Sequence, residues 1–136
     1  MNKKLLVKKA IESKDNAYVP YSNFHVGAAV MTEKGNIYTG CNIESAAYTP
    51  TICAERTAIF KAVSEGEKNI IAIAITGDSE YTYPCGVCRQ VIREFGRNAK
   101  IYIVKSEKEY REYTIDDLLP HSFGPEDLTK GKRKEE

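Results

Sequence analysis

The sequence predicts an α/β domain, a three-layer α-β-α sandwich around a mixed sheet of about five strands. Three observations carry that expectation. The N-terminal stretch places its apolar residues at helical spacing. The run Ile70-Ile71-Ala72-Ile73-Ala74-Ile75-Thr76 is continuous, apolar and β-branched, which suits a central strand covered on both faces. Along the chain the elements come in the order α-β-β-α-β-α-β-β, so helices are available for both sides of the sheet.

Each element has its own local cause. Leu5, Leu6, Ala10 and Ile11 lie at 3.6 spacing with Lys8 and Lys9 between them, so residues 2 to about 17 form an amphipathic helix that Pro20 ends. Residues 25–32 (HVGAAVMT) and 36–44 (NIYTGCNIE) have the composition of two strands, and Glu33-Lys34-Gly35-Asn36 between them is a hairpin turn. Thr51 is placed to cap a second helix from about Ile52 to Ser64, which Gly66 stops. Pro84 introduces a helix from Cys85 to about Phe95, with Gly96 as its stop. Lys100 to Val104 is a further strand, Glu112 to Ile115 a short edge strand, and Asp116-Asp117-Leu118-Leu119 one helical turn closed by Pro120.

Composition narrows the function. The 136 residues hold 20 Lys plus Arg against 19 Asp plus Glu, with 42% hydrophobic residues, which describes one globular domain over residues 1–128. Residues 129–136 form a short charged tail, expected to be disordered, that carries a surplus of positive charge. The body is therefore close to neutral, without the clustered basic surface that binds a nucleic-acid backbone. No apolar run approaches the roughly 18 residues of a membrane span, and the N-terminal charges return after three apolar residues, so neither a membrane partner nor a signal peptide is expected. The expected location is cytoplasmic. In that reducing setting Cys41, Cys53, Cys85 and Cys88 are free for metal ligation, catalysis or burial.

Cys53-Ala54-Glu55 opens one expected helix, and Pro84-Cys85-Gly86-Val87-Cys88 opens the next. Residues three apart are separated by about 300° of helical rotation, so Cys85 and Cys88 lie on one face of a first turn and can hold one ion together. Cys53 also starts a helix, where the helix dipole favours a thiolate. Two helix ends meeting would supply three ligands, and three protein ligands leave the fourth position of tetrahedral zinc open, the mark of a catalytic site. Glu55, over the same helix end, is the natural base. Arg56, three residues from Cys53, is placed to offset the surplus negative charge of three thiolates. The competing arrangement, a closed structural site with Cys41 as fourth ligand, lacks the paired short-spaced arms such sites use. C-x-E followed by P-C-x-x-C is the three-cysteine form of the zinc-deaminase signature.

With these residues in place, the chain resembles the small cytidine deaminases of pyrimidine salvage. The resemblance runs through Tyr18-Val19-Pro20-Tyr21-Ser22-Asn23-Phe24, Gly40-Cys41-Asn42-Ile43-Glu44, Cys53-Ala54-Glu55-Arg56-Thr57-Ala58, Pro84-Cys85-Gly86-Val87-Cys88-Arg89-Gln90 and Leu118-Leu119-Pro120 on to Phe123, nearly the whole domain to Leu128. It implies one Zn2+ per subunit on Cys53, Cys85 and Cys88, with Glu55 as proton shuttle. It implies hydrolysis of cytidine and 2′-deoxycytidine to uridine and deoxyuridine with release of ammonia. By the same resemblance Asn42 and Glu44, which two-residue spacing puts on one strand face, bind ribose hydroxyls. Phe24 packs against base or sugar, and the Ala54 backbone meets the pyrimidine carbonyl. Phe123 reaches over the substrate of a neighbouring subunit in a homotetramer with shared active sites. His25 and His121 receive no chemical role, and Tyr48-Thr49-Pro50-Thr51 departs from the family pattern. Three alternatives stay open at this point: another cytosine nucleoside such as a nucleoside antibiotic, a base within RNA, or a noncatalytic zinc-stabilised binding module.

Overall fold

The structure is a computed structural model that describes residues 2–133. Its elements are α1 (Lys3–Ser13), β1 (Val26–Thr32), β2 (Ile37–Cys41), α2 (Ala54–Ser64), β3 (Ile70–Gly77), α3 (Gly86–Phe95), β4 (Lys100–Val104), β5 (Tyr110–Tyr113), α4 (Ile115–Leu118) and α5 (Pro125–Arg133). The strands form one sheet in the order β2-β1-β3-β4-β5. β1 pairs antiparallel with β2 and with β3, β3 pairs parallel with β4, and β4 pairs antiparallel with β5. A parallel pair needs a crossover, and α3 supplies it. The sheet is mixed and five-stranded, as the sequence predicts.

Strand alternation sorts the side chains into two cores. Ala28 and Val30, Ile73 and Ile75, and Ile101 and Ile103 pack with Ala54, Ala58, Ile59 and Ala62 of α2 and Ile92 of α3. Their neighbours Ala29 and Met31, Ala72 and Ala74, and Tyr102 and Val104 turn the other way, onto Leu6, Val7 and Ala10 of α1. This makes three layers: α1, the sheet, and the pair α2 and α3. Both faces of β3 are covered, which is why its sequence does not alternate in polarity.

Several boundaries differ from expectation. α1 ends at Ser13, whose hydroxyl donates to Ala10 O at 2.8 Å, and a single 3-10 turn follows over Lys14–Asn16. β2 ends at Cys41, because the Asn42 side-chain oxygen takes the Val26 N–H at 2.9 Å that a continuing ladder would use. β5 lies two residues earlier than expected. The reason is that Thr114 leaves the strand to form a capping box with Asp117 at the start of α4. α5 crosses the boundary expected at Leu128: Pro125 in the first turn, followed by Glu126 and Asp127, is a helix start, and the helix carries residues 129–133 of the expected disordered tail. The rest of that tail, residues 134–136, lies outside the described residues.

Candidate active site

Two helix starts meet on the sheet's α2 and α3 side. Cys53 is the N-cap of α2 and Cys85 the N-cap of α3, each in extended backbone, and neither side chain caps a backbone N–H of its own helix. An N-cap side chain normally accepts one of the helix's orphan N–H groups. Here the cap positions hold sulfur, and Thr51, expected as the cap of α2, instead accepts from Ser45 N–H at 2.9 Å. Cys88, the third residue of α3, completes the group. The three Sγ atoms all lie within 4.8 Å of one another, and Cys53 and Cys85 are 3.8 Å apart.

That spacing tests the fit of a metal. Sulfurs at about 2.3 Å from a tetrahedral zinc stand about 3.8 Å from each other, against about 2.05 Å in a disulfide. The residues present fit zinc. Cys41, the alternative fourth ligand, is outside the cluster among the described residues.

The electrostatics suit the same purpose. The hydrogen bond from Cys88, helped by Arg56 and Cys85, lowers the Cys53 thiol to about 5, while that bond and burial push the Cys88 thiol up. Arg56 Nη2 donates to Cys53 Sγ at 3.4 Å, and the thiolate holds the guanidinium more firmly protonated. Glu55 is 4% exposed. Burial pushes its carboxyl up to about 7, with the Cys53 charge acting in the same direction and Arg56 opposing it. A carboxyl poised near neutrality both takes and gives protons. Ala54, fully buried, is the first residue of α2, so its N–H is among the donors the helix itself cannot satisfy.

Phe24, Asn42 and Glu44 come together, although not on one regular strand. Asn42 Nδ2 donates to Phe24 O at 2.8 Å while its oxygen holds Val26 N–H, so this side chain fixes the backbone on both sides of His25. Glu44 accepts from Tyr21 N–H at 3.0 Å, Ser22 N–H at 3.1 Å and the Ser22 hydroxyl, and these bonds lower its carboxyl. A cleft of about 420 Å³ adjoins it, bordered by Tyr21, Ser22, Ser45, Tyr48 and Thr51. Tyr48, in the stretch that departs from the family pattern, takes a left-handed φ of 64°. Phe123 is 60% exposed on the C-terminal segment, with its carbonyl accepting from Gln90 Nε2 at 2.8 Å.

Sequence reasoning gave two residues here no role. Arg89 Nε donates to Pro84 O and its Nη1 to Leu118 O, both at 2.7 Å, which fixes the carbonyl just before Cys85. Its place directly after Cys88 was the available signal. Asp78 accepts from His25 N–H at 2.7 Å and pairs with the His25 ring at 2.9 Å, holding the Phe24 loop against the end of β3. Nothing local in the sequence joins residues 53 positions apart.

This architecture and thiol cluster define a class, the zinc-dependent deaminases of nitrogenous bases. Residues 1–105 match the family model described as the cytidine and deoxycytidylate deaminase zinc-binding region. A cytidine deaminase of Halalkalibacterium halodurans is 45% identical over 130 residues, 94% of this chain and 98% of that protein. One from Sporosarcina psychrophila is 47% identical over 131 residues, 95% of this chain and 96% of its own length. Among solved structures, the cytidine deaminase of Burkholderia pseudomallei superposes with a TM-score of 0.85 at 39% identity, covering 90% of this chain and all of that one. The chain belongs to the cytidine and deoxycytidylate deaminase family and is an enzyme, a hydrolytic deaminase.

Proposed function

We propose that the protein hydrolyses cytidine and 2′-deoxycytidine to uridine and deoxyuridine, releasing ammonia, within pyrimidine salvage. The observation that carries this reading is the meeting of three thiols within 4.8 Å beside the buried Glu55. Full-length similarity to relatives named cytidine deaminase supports the choice of substrate. Cys53, Cys85 and Cys88 would hold the zinc, which would supply a Lewis acid able to lower the pKa of a water toward about 7. Glu55 takes the proton of that water and delivers it to N3 of the base, which makes C4 electrophilic. After the water oxygen adds to C4, Glu55 takes the remaining proton from that new C4 hydroxyl and passes it to the amino nitrogen, and the C4–N bond breaks to leave the C4 carbonyl and ammonia. Arg56 holds the charge of Cys53 in check while this happens.

On the binding side, the Ala54 N–H meets the pyrimidine carbonyl and Phe24 packs on base or sugar. Asn42 and Glu44 meet the ribose hydroxyls while keeping their bonds to the Phe24 loop. Phe123 covers the substrate of a neighbouring subunit in a homotetramer. A site built on three reduced thiols suits the cytoplasm, and no helix among the described residues is long and apolar enough to cross a membrane.

The test is ammonia release by the zinc-loaded protein from cytidine, deoxycytidine, cytosine and a cytosine-bearing oligonucleotide, with Glu55→Gln in parallel. Turnover of the two nucleosides, lost by a factor of about 10²–10⁴ in Glu55→Gln with zinc retained, is expected. Intact nucleosides in the presence of one zinc per chain would defeat the substrate assignment. Sedimentation showing a fully active monomer would defeat the shared site.

A further inference from the structure

Helix α3 carries Cys85 and Cys88 at its N-terminus, and its next turns grip the C-terminal segment. Gln90 Nε2 holds the Phe123 carbonyl at 2.8 Å. Arg93, a cation only 4% exposed, donates from Nε to Ser122 Oγ at 2.7 Å and pairs through Nη2 with the Glu126 carboxylate. Gly124 lies close against the same guanidinium: a Cβ built there would stand 2.6 Å from Cζ and Nη2, so a side chain at this position would displace the guanidinium from where it sits. The bonds of Arg93 therefore bracket Phe123 on both sides. The Phe123 ring, by contrast, is 60% exposed.

A guanidinium is costly to bury unless it is paired, and tying down a terminal segment does not by itself require one. What a buried arginine adds is geometry. Its planar fork fixes the relative placement of two acceptors more narrowly than a lysine ammonium can. A large aromatic ring whose backbone is held this tightly, while its face points outward, is set for something outside its own fold.

We propose that Arg93 is a positioning residue for deamination: through its fork on Ser122 and Glu126, with Gln90 and Gly124, it sets Phe123 where the ring covers a nucleoside in a neighbouring subunit. This rests on the role given to Phe123 above. Helix α3 then serves two sites, its own through the thiols and a neighbour's through the ring. Arg93 itself touches neither metal nor substrate.

The experiment is steady-state kinetics on cytidine with the zinc-loaded full chain, for Arg93→Lys, Glu126→Gln, Phe123→Ala and the double variant Arg93→Lys/Phe123→Ala. Arg93→Lys and Glu126→Gln are expected to raise KM roughly tenfold, with kcat within about twofold and zinc content unchanged. Glu126, with its side chain 44% exposed, supplies the answer if Arg93→Lys fails to fold. Phe123→Ala should raise KM at least as far. The double variant should match Phe123→Ala alone, because the clamp then has nothing left to position. A merely structural Arg93 would lower the melting temperature and add its effect to that of Phe123→Ala, which would overturn the proposal. If Phe123→Ala raises KM while Arg93→Lys and Glu126→Gln do not, the positioning role alone falls. If Phe123→Ala leaves KM unchanged, the ring's substrate role falls, and the positioning role with it.

Discussion

Gly40→Ala tests whether the site depends on how closely α2 lies on the sheet. Gly40 is the fourth residue of β2, outside both zinc-ligand motifs in sequence, and its backbone faces α2. A Cβ there would lie 2.5 Å from Ala58 N and 2.6 Å from Ala54 O, both backbone atoms that cannot rotate aside. Ordinary contact begins at 3.4 Å, so α2 must withdraw by about 0.9 Å, or the strand must yield by as much. Overpacking of this kind costs about 1–3 kcal/mol. At roughly 4 °C per kcal/mol for a chain of this size, the melting temperature should fall by about 4–12 °C.

The functional cost should be steeper than the thermal one. Cys53, Glu55 and Arg56 all ride on the first turn of α2, beside Ala54. Metal–ligand distances tolerate only about 0.2 Å, and an error near 1 Å in a catalytic group costs up to about a hundredfold. The assay is melting temperature, zinc content and kcat/KM at fixed protein and zinc concentrations, with Gly86→Ala as comparison. Gly86 sits between the two α3 ligands, yet a Cβ there meets nothing within 4 Å. It should keep the wild-type melting temperature and its zinc. Wild-type melting and turnover in Gly40→Ala would refute the reasoning, since α2 would then shift without consequence.

Arg56→Gln removes the charged donor to Cys53 Sγ, so kcat should fall about 10–100-fold at saturating zinc; undiminished kcat with zinc content verified would strip Arg56 of its role. Asp78 is lowered to about 2 by His25 N–H, the His25 ring and Lys14. A depressed carboxyl stabilises the fold above its ordinary value near ~4, and that contribution disappears as pH falls through ~4 to about 2. Asp78→Asn should therefore melt below wild type at pH 7, with the gap closing across that window; a gap independent of pH counts against the linkage. Chelation should abolish turnover and lower the melting temperature while far-UV circular dichroism persists, because the two cores on either face of the sheet contain no ligand but the flanking helix ends. Loss of the circular dichroism signal would mean that the metal holds the fold.

What was legible in the sequence was local. The β-branched run of β3, the turn at Glu33–Asn36 and the start and stop signals of α3 at Pro84 and Gly96 act over a few residues, so their elements fall where the pattern places them. Boundaries moved where a distant or competing partner intervened. Asn42 gave its side chain to Val26, and Thr114 gave its side chain to a helix start rather than to the edge strand. In the tail, charge composition masked the start signals of Pro125, Glu126 and Asp127. The thiols were legible because their spacing is imposed by helix geometry. The bonds of Asp78, Arg89 and Arg93 were not, because each partner arrives from a separate element through the fold.

The placement of cysteine at two N-caps explains why the motif and the site coincide. A cap residue is held in extended backbone at a fixed point in space, with its side chain directed over a helix end. Serine or aspartate there would be drawn back onto the helix's own N–H groups. A thiol is a weak acceptor for such bonds and a strong ligand for zinc, so it leaves the helix end uncapped and turns outward. The same uncapped end offers its N–H groups and positive potential to the thiolates and to the substrate side of the site. Loss of a cap at both helices is the cost of this arrangement, about 1 kcal/mol each. Metal binding can offset a cost of that size many times over, which makes folding of the first turns and loading of the metal one coupled event.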